Sequence, residues 1–301
     1  MKTSKLILKA CALIAYAFLL MMHLILKDHI QFLQVFFYAV PLPFLIFFGI
    51  IVTLLCYRWK LLFIALIGIT LSISVYWFYT DYNFKSDGDI PNEATVVLFW
   101  NAADAWKFPV EVLMAHIKSA QPDIIGLVET EYASEDDLQL LSKTFPSYEF
   151  KILEGFMMVG VKGKITAVNY QSKEASYKIN FIEANLNGNT RTFLITDIYQ
   201  SPTMNKEKAL GATLQFALQN NAEIIMGDFN TPQQSVHFKR FTPHYESLRD
   251  YGQGFTATWP FGIPLLELDQ IFTNNMFTPV LLQKFYQPES DHALLVGYLN
   301  N

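Results

Sequence analysis

Three long apolar runs fill most of the first 80 residues and set the strongest limit on how this chain can fold. They extend over about Leu6–Leu26, Val35–Cys56 and Leu61–Tyr79. Each is long enough to cross a bilayer as a helix, since one crossing needs about 20 apolar residues. Pro41 and Pro43 interrupt the second run, which we expect to be kinked or displaced. The pattern predicts three transmembrane helices, with a lipid bilayer as the partner of this region.

The basic residues of this region predict its orientation. Lys2, Lys5 and Lys9 lie at the start of the first run, and Arg58 and Lys60 lie between the second and third runs. Because basic loops stay on the cytoplasmic side, the N-terminus is predicted inside. Three crossings then place the rest of the chain outside, which is the periplasmic side if the membrane is a bacterial inner membrane. A cleaved signal peptide is the alternative interpretation of the first run, but two further runs follow and no clear small-residue cleavage site does.

The remainder of the chain has the composition of a soluble domain and is acidic. The first 80 residues hold 6 of the 22 basic and 1 of the 27 acidic residues, which leaves 16 basic and 26 acidic residues, a net charge of −10. An acidic domain is a poor electrostatic partner for a phosphate backbone, so bulk nucleic acid is disfavoured as the substrate. Both cysteines, Cys11 and Cys56, lie in the apolar region, so the soluble part has neither disulfides nor thiol chemistry.

Short apolar runs recur in this soluble part, between helical patterns such as Val110–Ala120 and Lys206–Gln219. Runs such as "TVVLFW", "DIIGLVE", "TFLITDIY" and "EIIMGDF" predict buried strands. The mixture predicts sheets covered by helices. A polar stretch containing Gly and Pro separates the two parts. We therefore predict a transmembrane region over residues 1–80, a linker over 81–94 and a globular domain over 95–301.

Several predicted strands end in side chains that can bind a metal or move a proton. One polar strand end is explained by a turn or a cap, but five of them, rich in carboxylates and amides and including a histidine, predict one site at a sheet edge. Hard cations such as Mg²⁺ take oxygen ligands, and a His held by an Asp can manage a proton or a water. The residues concerned are Asn101, Glu129, Asp228 with Asn230, Asp269, and Asp291 with His292.

In order and rough spacing, these motifs resemble the endonuclease/exonuclease/phosphatase superfamily, the DNase-I-like metal-dependent phosphoesterases. The similarity covers about Thr95 to the C-terminus. It implies an α+β fold, a four-layer α/β/β/α sandwich, here preceded by the three transmembrane helices. The segments that carry it are "FWN" (99–101), "PDIIGLVET" (122–130), "MGDFNTP" (226–232), "TWP" (258–260), "LELDQIF" (266–272) and "SDH" (290–292).

The resemblance also implies a cofactor and a reaction. Glu129 corresponds to the principal metal ligand, with Asn101 beside it and Asp291 as a further ligand. The metal is expected to be Mg²⁺ or Mn²⁺, and the reaction is hydrolysis of a phosphomonoester or phosphodiester. The acidic charge and the apolar helices favour a phospholipid or a small phosphate ester over bulk nucleic acid.

The same resemblance assigns the catalytic groups. Asp228 is expected to position or activate the attacking water, and Asn230 to orient the phosphate. His292 is expected to act at the phosphoryl centre as general base or charge stabiliser, with its ring held by Asp269. Because side chains alternate along a strand, Asp228 and Asn230 are expected to share one face while Phe229 packs away.

The chain departs from the family pattern in the middle of the domain. The family usually places a His, or in some branches a Tyr, at the end of the strand that here reads "TFLITDIYQSP". Asp197 and Tyr199 are the candidates, and Tyr199 is favoured because a phenol can donate a hydrogen bond to a phosphate oxygen. Asp104 and Trp106 are weaker candidates for lining the cleft. The missing His leaves one alternative function, a catalytically impaired phosphoesterase fold that acts as a binding module.

Overall fold

A computed structural model describes residues 2–84, 90–91, 93–102 and 107–300 of the chain. Contacts divide the chain into two units, Met1–Tyr82 with Gln234–Val236, and Asn83–Gln233 with His237–Asn301. Part of the predicted linker, residues 85–89 and 92, lies outside the described residues, as do Asp104 and Trp106.

The first unit is helical. Tyr16, Gly49 and Thr70 mark the point where three of its helices meet. A Cβ atom on Gly49 would lie 2.4 Å from Tyr16 Oη, so only glycine leaves room for the tyrosine there. Tyr16 Oη lies 3.3 Å from Thr70 Oγ1. The helices are α1 (Lys2–Met21), continued by a π-helical turn (Met22–Leu26), α2 (Gln34–Ala39), α3 (Leu42–Leu55) and α4 (Lys60–Asp81).

Two helical segments in the described part of the chain are long and apolar enough to cross a membrane, Thr3–Leu26 with 24 residues and Lys60–Asp81 with 22. By length and composition alone, a buried helix or an N-terminal signal sequence would pass the same test. The prediction of three spanning helices is wrong for the second run. Pro41, with φ −59° and ψ 155°, lies outside both helices there and separates α2 from α3, because proline cannot donate a helical hydrogen bond.

In the described residues, the second unit contains most of the strands and three α-helices. The helices are α5 (Val110–Ala120), α6 (Glu135–Thr144) and α7 (Lys206–Gln219), with 3₁₀ turns at Val236–Arg240 and Leu248–Tyr251. The strands of the described chain are β1 (Tyr82–Asn83), β2 (Thr95–Asn101), β3 (Ile124–Val128), β4 (Glu149–Leu153), β5 (Met157–Val161), β6 (Lys164–Lys173), β7 (Tyr177–Leu186), β8 (Asn189–Ile198), β9 (Ile224–Asp228), β10 (Glu246–Ser247), β11 (Gly254–Phe255), β12 (Asp269–Thr273), β13 (Thr278–Phe285) and β14 (Leu294–Asn300).

Two six-stranded sheets form the centre of this unit. The strand order is β13-β14-β2-β3-β5-β4 in the first sheet and β10-β12-β9-β8-β7-β6 in the second. Each sheet has one parallel pair, β2 with β3 and β8 with β9, and the other neighbouring strands run antiparallel. A helix connects the two strands of each parallel pair, α5 in the first sheet and α7 in the second, as a parallel crossover requires.

Alternation along each strand divides the core into layers. On β2, Val97 and Phe99 join a buried cluster that also holds Met226 of the second sheet, and we call this cluster the inter-sheet core. Leu98 and Trp100 point the other way and pack with α5 and α6. A further cluster joins α7 to the outer face of the second sheet. The predicted two-sheet α/β sandwich is therefore confirmed.

Candidate active site

Three carboxylates come together at one end of the second sheet. In the strand register Asp228, the last residue of β9, stands opposite Asp269 of β12 and Asp197 of β8. Met226 and Ile271 belong to the inter-sheet core. Asp228 and Asp269 each lie two residues from one of them, so alternation turns both carboxylates toward the same space.

Asn101 connects the two sheets at this end. It closes β2 two residues after Phe99, so it also faces the inter-sheet core. Its Nδ2 donates hydrogen bonds of 3.0 Å to Glu129 Oε1 and of 3.0 Å to Asp228 Oδ2. The predicted metal ligands Glu129 and Asn101 therefore lie in direct contact with each other and beside Asp228.

Glu129 reaches this position through an unusual backbone conformation. Val128, the last residue of β3, faces the inter-sheet core. Continued alternation would turn the next side chain toward the outer helices. Glu129 instead has φ +55°, in the left-handed region that few non-glycine residues adopt, and its carboxylate contacts Asn101. The turn after β3 therefore places the Glu129 carboxylate beside Asn101.

Asp228 and Asn230 form a turn. The two residues do lie together, but not through strand alternation as we expected. Strand β9 ends at Asp228, and Asn230 follows in a left-handed backbone conformation with φ +44°. The Asn230 backbone N–H donates to Asp228 Oδ1 at 2.7 Å, and its Nδ2 donates to Asp228 Oδ2 and to the Ile198 carbonyl, both at 2.9 Å. Phe229 packs away into the cluster under α7, as predicted.

His292 and Asp269 form a buried hydrogen-bonded pair. The distance from His292 Nδ1 to Asp269 Oδ2 is 2.8 Å. The other ring nitrogen, Nε2, lies 3.9 Å from Asp228 Oδ2 and 3.8 Å from Asp291 Oδ1. Ser290 holds the loop in place, since its hydroxyl donates to the Asn101 carbonyl at 2.8 Å and accepts from the His292 N–H at 3.0 Å. The pair can therefore orient a proton donor or acceptor toward Asp228.

Crowding of these groups changes their protonation. Burial raises the pKa of Asp228 well above its ordinary value, and the charge of Asp269 raises it further. Burial also raises the pKa of Glu129, partly offset by its hydrogen bond from Asn101. Burial alone would lower the pKa of His292, but the carboxylates of Asp269, Asp228 and Asp291 together raise it to about 10. Burial therefore disfavours the charged forms of Asp228 and Glu129, whereas the surrounding carboxylates favour the charged form of His292.

By ligand chemistry, the oxygen donors at this site suit a hard divalent cation. Glu129, Asp228 and Asp291 offer carboxylate oxygens and Asn101 an amide oxygen, which are the ligands that Mg²⁺ and Mn²⁺ take, and a bound cation would favour the charged carboxylates. Among the described residues, the one group of three acidic or histidine side chains whose ligand atoms all lie within 4.8 Å of one another is Asp228, Asp269 and His292. Asp269 Oδ2 is already engaged with the His292 ring, so that trio is better suited to handling a proton.

A cavity of about 490 Å³ adjoins these groups and contains Glu129 and Asn230 in its wall. Tyr199 also lines it, one residue beyond the end of β8 and 48 % exposed, so its hydroxyl can reach a ligand there. Asp197 lines the same cavity, and burial raises its pKa, with Lys178 acting in the opposite direction. Both candidates for the missing histidine are therefore beside the cavity.

Three residues near the site were missed by the sequence analysis. Lys206 is fully buried at the start of α7, and its Nζ donates to the Tyr199 carbonyl at 2.6 Å. Trp259 Nε1 donates to Asp291 Oδ2 at 2.6 Å and so fixes that carboxylate. Lys178 pairs with Asp197 across the strands. The "TWP" motif pointed to Trp259. Lys178 and Lys206 had no sequence signal, because a lone lysine at the start of a strand or helix is common.

Solved structures show the same fold at low sequence identity. The human Nocturnin catalytic domain with bound sulfate anion matches with a TM-score of 0.54 and 18 % identity, over 71 % of this chain and 97 % of that chain. D. rerio TDP2 complexed with single strand DNA product matches with a TM-score of 0.52 and 14 % identity, over 70 % of this chain and 100 % of that chain. A mannosyl-6-phosphatase of Bacteroides thetaiotaomicron matches with a TM-score of 0.52 and 12 % identity, over 68 % and 99 %.

No curated protein matches the sequence. The sequence pattern of one family does, over residues 98–292, a range that begins in β2 and ends at His292 and includes every site residue described above. This match covers well over half of the chain, and the two-sheet fold agrees with it. The chain belongs to the Endonuclease/Exonuclease/phosphatase family.

Proposed function

We propose that the protein is a membrane-anchored, divalent-metal-dependent phosphoesterase that hydrolyses a phosphomonoester or phosphodiester. The observation that carries the proposal is the paired arrangement around Asp228. On one side Asn101 joins it to Glu129 through two 3.0 Å hydrogen bonds, and on the other His292 Nε2 lies 3.9 Å away, with its ring held by Asp269. A strand end that served only to fill the core would not need these carboxylates, this amide and this histidine together.

The residues divide into a cation-holding group and a proton-handling group. Glu129, Asn101 and Asp291 would hold Mg²⁺ or Mn²⁺, which when bound neutralises charge on the phosphate and the leaving oxygen. Asp228, next to both groups, would position the attacking water. His292, with its raised pKa, would act as the charge stabiliser or proton carrier at the phosphoryl centre.

Two further residues would orient the phosphate. Asn230 is fixed by its bonds to Asp228 and to the Ile198 carbonyl, so its position is set before a ligand binds. Tyr199 would donate its hydroxyl hydrogen to a phosphate oxygen, because it lines the cavity beside Asn230. Preorganised donors of this kind are effective because they need no rearrangement in the transition state.

The substrate is proposed to be a phospholipid or another small phosphate ester. Related folds carry a sulfate anion, a DNA product or a mannosyl-6-phosphatase activity, so the scaffold accepts several phosphate chemistries. The charge of −10 beyond the first 80 residues, from 16 basic and 26 acidic side chains, opposes the approach of a long polyanion.

The test is hydrolysis by the purified full chain. Phosphomonoesters, phospholipids and plasmid DNA would be assayed with Mg²⁺ or Mn²⁺ and with EDTA, for the wild type, Glu129→Gln and His292→Asn. We expect metal-dependent turnover that both variants lose. Asp250→Asn is the matched control, because this carboxylate is 68 % exposed, pairs with Arg249 at 3.4 Å and is not part of the cavity wall. DNA cleavage at the rate of a dedicated nuclease would contradict the substrate preference.

A binding module is the second candidate function. It is favoured by the absence of a histidine at the end of β8, where Asp197 pairs with Lys178 instead. In that case the folded chain would bind Mn²⁺, and Glu129→Gln would weaken the binding, yet no phosphate ester would be hydrolysed. Calorimetric titration with Mn²⁺ alongside the hydrolysis assay separates the two functions.

The proposed domain organisation is a membrane region over residues 1–80, a linker over 81–94 and the phosphoesterase domain over 95–301. The two long apolar helical segments support the anchor. If they cross a bilayer, the full chain will stay in the membrane pellet after an alkaline wash and will need detergent for release. Release by alkali, or a mature chain that begins after the first segment, would contradict a multi-pass anchor.

A further inference from the structure

A lysine and an aspartate form an ion pair at the edge of the site. Lys178 on β7 stands directly opposite Asp197 on β8 in the strand register. Its Nζ lies 3.0 Å from Asp197 Oδ2, and the side chains are 37 % and 10 % exposed. The aspartate is thus nearly buried, while the lysine keeps part of its surface open.

Strand alternation turns this pair toward the same space as the catalytic carboxylates. Ile182 and Ala184 of β7 belong to the inter-sheet core, and so do Phe193 and Ile195 of β8. Lys178 lies an even number of residues from Ile182 and Ala184, and Asp197 lies an even number from Phe193 and Ile195. Both side chains therefore point to the inter-sheet side. Asp197 is also the direct neighbour of Asp228 on β9.

The ammonium group of Lys178 is fixed on a second side by an aromatic ring. Its Nζ lies 5.3 Å from the ring centroid of Phe156, within the range of a cation–π contact. Phe156 occupies the turn between β4 and β5 with φ +61° and is 59 % exposed. Both side chains line the cavity that contains Glu129 and Asn230. A cation is therefore held in place next to the proposed phosphate site.

The charges of the cavity wall show why such a cation matters. Its acids are Glu129, Glu131, Glu174 and Asp197, against Lys173 and Lys178. A phosphate beside an unpaired Asp197 would be repelled, and a bound divalent cation would occupy Glu129. Among the residues that the structure describes at this wall, only Lys178 combines a fixed position with a contact to Asp197.

We propose that Lys178 of β7 binds a phosphate oxygen of the substrate, in place of the histidine that the family usually provides at the end of the neighbouring strand β8. Asp197 and Phe156 are positioning residues, since they hold the lysine and need not touch the substrate. The inference rests on the proposed function in one respect, that a phosphate group enters this cavity. It makes the Asp at position 197 part of a working arrangement instead of a sign of lost activity.

The experiment measures binding of inorganic phosphate to the full chain in detergent with Mg²⁺, by isothermal titration calorimetry. Lys178→Met should weaken phosphate binding about tenfold or more, the usual size of a lost charge-assisted hydrogen bond. Lys178→Arg keeps the charge and should stay within about threefold of the wild type. Lys164→Met is the control on the neighbouring strand β6, because its Nζ pairs with Glu149 at 3.8 Å and its side chain is 82 % exposed.

A double variant separates phosphate binding from simple neutralisation of Asp197. If Lys178 only cancels that charge, Lys178→Met combined with Asp197→Asn should bind phosphate as the wild type does, because no charge is left unpaired. The proposal predicts that the double variant binds phosphate as weakly as Lys178→Met does. Full recovery in the double variant, or no phosphate binding by the wild type, would overturn the proposal.

Hydrolysis measured on the same variants distinguishes this inference from the proposed function. Phosphate binding that depends on Lys178 without any turnover would support the inference and reject the phosphoesterase. Turnover with an unchanged phosphate affinity and kcat/KM in Lys178→Met would support the phosphoesterase and overturn the inference. If both hold, kcat/KM should fall about tenfold or more in Lys178→Met and recover in Lys178→Arg.

Discussion

The carboxylate of Asp269 makes one hydrogen bond in the described part of the chain, and an asparagine at this position would change it. Its Oδ2 bonds to His292 Nδ1, and its Oδ1 has no hydrogen-bond partner in the described part of the chain. Asp269→Asn keeps the shape but removes the charge that orients the ring. We expect kcat to fall by about 100-fold or more, the usual contribution of a positioned proton carrier. Steady-state kinetics at saturating substrate would measure it, and a loss equal to that of Asp250→Asn would contradict the assigned role.

Lys206 gives the folded protein a pH-dependent stability. Burial lowers its pKa from 10.5 to about 8 in the folded state. Below pH 8 both states hold the proton, and the folded state bears the full cost of the buried charge. Between about pH 8 and 10.5 the unfolded state binds more protons, so stability should rise with pH by about 3 kcal/mol. Lys206→Met should lack this rise in urea unfolding, and an equal rise in both proteins would contradict the assignment.

The turn after β9 depends on the aromatic cluster beneath it. The ring of Phe229 meets those of Phe238, Phe241 and Phe272 edge to face, at centroid distances of 5.5, 6.0 and 5.6 Å. Phe229→Ala should lower the free energy of unfolding by about 3–5 kcal/mol, because the cavity it leaves cannot close around rigid rings. Phe229→Leu should cost less. Urea titration would measure both, and equal losses would argue against this packing.

Sequence alone accounts for the strands of the site but not for how every side chain reaches it. The two-residue period of a strand explains which face Asn101, Asp228 and Asp269 occupy. Each lies two residues from a residue of the inter-sheet core on its own strand. Glu129 and Asn230 depend on left-handed backbone positions that follow their strands. Such turns are set by tertiary contacts, so a local pattern does not encode them. The Lys178–Asp197 pair depends on strand register, which the sequence does not state.

At the scale of the whole sandwich, the two sheets approach closely at Gly126. A Cβ atom there would lie 2.5 Å from Met226 Sδ and 3.1 Å from Ile195 Cγ1, across the inter-sheet core. Gly126→Ala should destabilise the fold by about 1–3 kcal/mol through overpacking. Adding Met226→Val to it should recover part of that loss, whereas Met226→Val alone should destabilise the wild type. Unfolding free energies of the three variants would test this coupling, and purely additive losses would contradict it.

If the apolar helices cross a bilayer, the break at Pro41 sets the side of the bilayer on which residues 83–301 lie. A helix of 14 residues such as α3 is about 21 Å long, short of the roughly 30 Å of hydrocarbon. If α1 with its extension and α4 each cross a bilayer, the two crossings return the chain to the compartment of its N-terminus. Replacing Pro41 and Pro43 by Leu should fuse α2 and α3 into one helix of about 33 Å and add a third crossing. Labelling a cysteine introduced at Gly188 with an impermeant maleimide would then report the opposite side. In that arrangement the two prolines would decide whether the domain meets the phosphate esters on the N-terminal side of the membrane or those on the opposite side.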